Sequence, residues 1–201
     1  MRAPLIAGVL LAAAVVAGCG PAPSSAPPSF MGTIPPTAPV TPDPSGTPVP
    51  TSGVAIDSRL LDVLPEAVDG FELVESPDAE LAALEDPQLE AVAASIAAGI
   101  AVDAAGGEFV YAIVVRLLPG AMDADVFRDW RDSYDEGACS QADGVAVHAE
   151  TEIGGRTVYI GTCVSDLRTY HVWLEEQEVL VSVSAVGERR LGERLVENLQ
   201  P

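Results

Sequence analysis

Residues 145–186 read VAVHAETEIGGRTVYIGTCVSDLRTYHVWLEEQEVLVSVSAV. β-Branched and aromatic residues fill four runs, and Gly154-Gly155 sits between the first two. A Gly-Gly pair flanked by strand-like segments predicts a tight hairpin, because both turn positions favour positive φ. A two-residue turn sets Ile153 opposite Arg156. Val147, Ala149 and Thr151 then share a face with Val158, Ile160 and Thr162. His148, Glu150, Tyr159 and Cys163 point the other way, because side chains alternate along a strand. Arg168–Leu174 and Val179–Val186 form a second hairpin around Glu175-Glu176-Gln177-Glu178. Its apolar face carries Tyr170, Val172, Leu174, Val179, Val181 and Val183. Its other face carries Thr169, His171, Trp173, Leu180, Ser182 and Ser184.

Working outward, Glu108–Leu118 is apolar at both parities (FVYAIVVRLL over 109–118) and ends at Pro119-Gly120. Burial on both faces predicts a central strand. Between these strands, Asp123 or Asp125 caps a helix through about Tyr134, with Val126, Phe127, Trp130 and Tyr134 on one stripe. Upstream, Asp57–Leu64 reads as a short helix and Phe71–Val74 as a first strand. Pro77-Asp78 opens a helix to about Leu84. Asp86 then caps another with Pro87 in its first turn. The spacing of Leu89, Val92, Ala93, Ile96 and Ile100 carries that helix on until Gly106-Gly107. A last helix spans about Glu188–Leu199. The order predicts an α+β fold: an antiparallel sheet of about five to six strands with helices packed on it.

The chain has three parts. Residues 1–18 contain Arg2, a short apolar stretch from Leu5 to Val16, and Val16-Ala17-Gly18 before Cys19. The stretch is too short to span a bilayer, which takes roughly 20 residues. This run resembles the lipobox of bacterial lipoprotein signal peptides. The resemblance implies cleavage before Cys19, a thioether-linked diacylglyceryl group, an acylated amine and an anchor in the cell envelope on the extracytoplasmic side. Residues 19–53 recur in proline from Pro21 to Pro50, and Asp43 is the only charge among them. Such a composition cannot bury a core and predicts a disordered, polyproline-rich tether. At ~3.1 Å per residue it would reach roughly 100 Å. Residues 54–201 form one domain. The α-β-α-β-β-β-β-α order is similar to the Mog1/PsbP-like fold. NTF2-like and cystatin-like curved sheets are the alternatives.

Charge narrows the partners. The chain has 30 acidic and 10 basic residues, a formal net charge of −20, and every basic residue is arginine. That field repels nucleic acid, so nucleic-acid binding is rejected. It also favours a solvated surface. Once Cys19 is lipidated, Cys139 and Cys163 remain, and an exported compartment predicts one disulfide between them.

Chemistry-bearing residues gather on the second sheet face. The hairpin register puts His171 opposite Ser182, with Thr169, Trp173 and Ser184 beside them. A base near a hydroxyl is the beginning of nucleophilic catalysis. The third group that orients the base has no compelling candidate beyond Asp166, and no G-x-S-x-G elbow occurs. His148, Tyr159, Thr169, His171, Trp173, Ser182 and Ser184 therefore stand as a candidate ligand face. No metal site and no cofactor is expected. His148, His171 and Glu150 lack a supporting ligand pattern, and Asp123, Asp125, Asp129, Asp132 and Asp135 lack the EF-hand spacing. They read instead as a helix N-terminus and a solvated helix face. The expectation is a lipid-anchored, non-enzymatic domain that binds an envelope protein or a small ligand. The alternative is an envelope hydrolase using His171 and a nearby serine.

Overall fold

The computed structural model describes residues 53–200; Cys19 with the lipobox-like run before it, the expected signal segment and most of the proline-rich segment lie outside them. In chain order, β1 (Ala55–Ile56) leads into a 3-10 turn over Ser58–Val63. Three short strands follow: β2 (Ala67–Val68), β3 (Phe71–Glu72) and β4 (Val74–Glu75). Next come α1 (Pro77–Ala83), α2 (Pro87–Val92), β5 (Ala93–Asp103), β6 (Glu108–Leu117) and α3 (Ala124–Cys139). The chain closes with β7 (Val145–Ile153), β8 (Arg156–Cys163), β9 (Arg168–Leu174), β10 (Val179–Val186) and α4 (Leu191–Glu197).

The sheet runs β1-β5-β6-β10-β9-β8-β7, with β4 also on the edge of β5. It has eight strands rather than five or six, and it is mixed, because β1 runs parallel to β5. The α+β class holds, and the purely antiparallel sheet does not. Helices cover both faces. On one face α4 places Leu191, Leu195 and Val196, with Leu199 just after it, against Tyr170, Val172, Val181 and Val183. On the other, α2 and α3 bring Leu89, Val92, Phe127 and Trp130 onto Ile96, Ile113, Val115 and Leu180.

The largest departure from the sequence reading is at Ala93–Asp103. The expected long helix stops at Val92, and the next eleven residues pair with β6 from Ala93↔Leu117 to Asp103↔Glu108. Alanine favours helices, but the propensity amounts to tenths of a kcal/mol per residue and tertiary pairing overrides it. β6 is buried on both faces and flanked by β10 on one side, so it requires a second partner strand on the other. Small residues suit that place. Gly99 lies under Leu73, whose Cδ2 would stand 3.2 Å from any added Cβ.

Both long hairpins have the expected register. Ile153 pairs with Arg156, and Gly154 and Gly155 take φ of 58° and 77°, as a type I′ turn requires. His171 pairs with Ser182 and Leu174 with Val179. The connection there is a 3-10 turn over Glu175–Gln177 closed by Glu178 at φ 52°. α3 begins at Asp123, whose carboxylate accepts from the Asp125 and Val126 amides at 2.9 Å, and continues past Tyr134 to Cys139. α4 is shorter at both ends than the sequence suggests.

Candidate functional site

The polar face of the β9–β10 hairpin lies under α3. Thr169, His171 and Ser182 are fully buried, and Ser184 nearly so. Helix α3 answers each of them. Trp130 Nε1 donates to Ser182 Oγ at 3.0 Å, and Tyr134 Oη and Ser184 Oγ share a hydrogen bond of 3.0 Å. Asp135, also fully buried, supplies the charge. Its Oδ1 lies 2.9 Å from His171 Nε2 and accepts the Thr169 hydroxyl. His148 reaches in from β7 and sets Nε2 3.0 Å from Asp135 Oδ2, out of hydrogen-bond alignment. Gly161 makes room for the carboxylate: a Cβ there would run into it and into the Thr169 hydroxyl.

Protonation follows from these partners. Burial pushes the Asp135 carboxyl up. The hydrogen bond and charge of His171, then the Thr169 hydroxyl, then His148, outweigh burial and leave it below its ordinary value. An ionised carboxylate only accepts, so His171 Nε2 is the donor to Asp135. Nδ1 and the Ser182 hydroxyl share a hydrogen bond of 3.0 Å. The chain Ser182–His171–Asp135 thus has the connectivity of a nucleophile, a base and an orienting acid. Its surroundings differ from those of a working nucleophile. Ser182 is fully buried, and the Trp130 indole N–H donates to one of its two lone pairs. The Ser182 side chain is not in contact with solvent. As built, the network is a polar key that fastens α3 to the sheet.

Asp135 was missed as a member of this site. It had been grouped with Asp129 and Asp132 on a solvated helix face, and Asp166 had been the candidate to orient His171. Asp166 is instead an exposed turn residue at φ 58°. The signal for Asp135 was its phase: it lies eight residues from Phe127 and four from Cys139, and both of these are buried. Among the described residues no group of three or more His, Cys, Asp or Glu side chains is disposed to hold a metal.

Two openings border this face. At one end, beside Ser184, a groove of about 650 Å³ runs between α1–α2 and α3. Its floor is Tyr111, Ile113 and Ser184, and its walls include Ala79, Ala82 and Ala83 opposite Trp130, Tyr134 and Ala138. The size lies within the roughly 300–1,000 Å³ typical of small-molecule pockets. Burial, then the charge of Glu80, pushes the Tyr111 phenol up to about 12. Burial, then Tyr111, raises the Tyr134 phenol further, and the Ser184 hydrogen bond offsets only part of this. Both phenols are therefore neutral hydroxyls at ordinary pH. At the other end, Tyr159 and Trp173 border a smaller cleft of about 450 Å³ with Phe127 and Arg131. Phe127 packs edge-on to Tyr159 at 5.2 Å, and Arg131 lies 5.0 Å over the Tyr159 ring.

No protein-family model, curated protein or solved structure significantly matches this chain. Function must be argued from this geometry alone.

Of the residues singled out in the sequence, Thr169, His171 and Ser182 come together in the buried key, and His148 touches its edge. Ser184 belongs to the groove, and Tyr159 and Trp173 belong to the second cleft. Cys139 and Cys163 form a disulfide with Cα atoms 5.3 Å apart, tying the end of α3 to β8. Trp130, Tyr134 and Tyr111 were not singled out as site residues. The first two had been read as core from their helical stripe, and Tyr111 lay within an apolar strand run.

Proposed function

We propose that this chain is a lipid-anchored extracytoplasmic domain, non-enzymatic, that binds a small and largely apolar ligand in the groove between α1–α2 and α3. The observation that carries the binding site is the groove itself, an alanine- and aromatic-lined slot with neutral hydroxyls on its floor. Placement in the envelope is supported by the lipobox-like run before Cys19 and by the proline-rich segment that follows it. In this reading residues 1–18 are the signal peptide, residues 19–53 the lipidated tether and residues 54–201 the binding domain. No helix of the described residues is long and apolar enough to cross a membrane.

N-Phenyl-1-naphthylamine, a neutral apolar fluorophore, tests the groove. Its emission is expected to rise on binding the protein, and Ala82→Phe, which fills the slot from an exposed helix position, should abolish the rise without lowering Tm. No enhancement, or enhancement that survives Ala82→Phe, overturns the site. For the anchor, Cys19→Ala should move the protein out of the membrane fraction or block its processing, and unchanged partitioning overturns it.

The Ser182–His171–Asp135 chain supports hydrolysis as a second reading. Turnover of p-nitrophenyl acetate that disappears in Ser182→Ala, with the fold intact, would establish it over the first. Turnover equal in both proteins removes it.

A further inference from the structure

The groove's charge pattern selects among apolar ligands. An amphiphile must place its headgroup at the rim, so the charges there decide which headgroup is tolerated. Among the described residues, Asp86 is the only charged side chain lining the groove. It is exposed at the N-terminus of α2, where one carboxylate oxygen accepts the Gln88 amide at 2.8 Å. No arginine or histidine lines the groove, and the chain contains no lysine.

The wall that carries Asp86 is acidic along its length. Residues 76–92 hold Asp78, Glu85, Asp86 and Glu90, all exposed, and no basic residue. Behind that wall Glu80 is 1% exposed, with Oε1 accepting the Ala98 amide at 3.0 Å. On the opposite side Trp130 and Tyr134 present aromatic surface, and Tyr111 does so from the floor. Aromatic faces attract cations through their quadrupoles, and most strongly where water is excluded. The whole chain, at −20, adds a field of the same sign. A fatty-acid carboxylate or a phosphate would meet acid on this rim and no cation to pair with.

We propose that the groove takes an amphiphile with an organic ammonium headgroup, its apolar chain along the Ala79–Ala82–Ala83 wall and its cation at the Asp86 rim. The inference rests on the groove being the binding site, and it goes further in naming the headgroup. Apolar burial supplies the affinity. The acidic wall, the aromatic rings and the absence of a lining base supply the discrimination.

Competition for the bound fluorophore tests this, using the full chain carrying Cys19→Ala so that no detergent is required. Dodecyltrimethylammonium, dodecanoate and dodecanol, each below its aggregation threshold, share one chain length and differ in headgroup charge. The ammonium is expected to displace the fluorophore at a concentration at least tenfold below dodecanoate, with dodecanol between them. Asp86→Asn, which keeps the helix cap because Asn caps as well as Asp, should narrow that gap to threefold or less. Dodecanoate as potent as the ammonium overturns the headgroup inference while leaving the groove intact. A full gap in Asp86→Asn overturns the role of the rim. A fluorophore that never binds overturns the groove and the inference together.

Discussion

Asp135 shows how one side chain decides whether a constellation is a tool or a fastener. A carboxylate without solvent needs compensation on every oxygen. Here His171 and Thr169 serve Oδ1, and His148 alone stands by Oδ2. Asp135→Asn replaces the charge and puts an N–H₂ group where only an acceptor fits. It should cost about 2 kcal/mol or more at pH 7, read as a lower urea midpoint. The pH dependence has a definite sign. The Asp135 carboxyl is held below its ordinary value of 3.8 by its partners, against burial. A depressed folded-state pKa contributes stability that is complete above the unfolded value and fades as pH falls through the folded one. The gap between wild type and Asp135→Asn should therefore shrink as pH falls from about 5 to below about 4. A gap that grows on acidification would show that Asp135 is not held ionised. His148→Ala should reproduce part of the loss, since it removes the one group at Oδ2.

At the scale of elements, much was legible because period and turn chemistry agree. The Gly154-Gly155 hairpin, the β9–β10 register and the Asp123 cap each rest on a local signal that the tertiary structure respects. β5 was illegible for a physical reason. AASIAAGIAVD has helical spacing and helix-favouring alanines, and only the demand of β6 for a second partner strand makes it a strand. The site divides the same way. His171 and Ser182 follow from register, whereas Asp135 depends on how α3 is rotated over the sheet. Helix α4 gives a sharper test of tertiary control. In an exposed helix interior, Gly→Ala stabilises by roughly 1 kcal/mol. Gly192 is buried against the sheet, and a Cβ there would stand 2.5 Å from Tyr170 Cε2 and 2.9 Å from Ala185 Cβ. Gly192→Ala should therefore reverse the sign and destabilise by about 1–3 kcal/mol, because the packed ring has to give or α4 has to lift. Any rise in Tm would show that α4 rides loosely on Tyr170.

At the scale of the whole molecule, stability is uneven along the sheet. β6 and β10 lie at its centre, paired on both sides and covered on both faces. β7 is an edge strand with β8 as its sole partner, a register shift between Val145 and Val147, and exposed residues from Ala146 to Glu152. Besides its ladder and the packing of Val145 and Ile153 at its ends, it is held by the His148 contact to Asp135 and the covalent bracket around it. The Cys139–Cys163 bond spans 24 residues of chain, and the closed loop contains all of β7. Such a loop stabilises by roughly 3 kcal/mol in the chain-entropy picture. Replacing both cysteines by serine should lower the urea midpoint by that order. The loss should also be unevenly spread, because weak segments open before the whole molecule does. Amide exchange should accelerate first and most over Val145–Ile153, while β6 and β10 continue to exchange only through global unfolding. The groove, which is framed by α1, α2 and α3 from Trp130 to Ala138, should still bind its fluorophore under native conditions, because α3 also packs on the sheet through Phe127 and Trp130. Uniform acceleration across all strands would show that the bond supports the entire fold. Unchanged exchange in β7 would show that its ladder and His148 suffice without the bond.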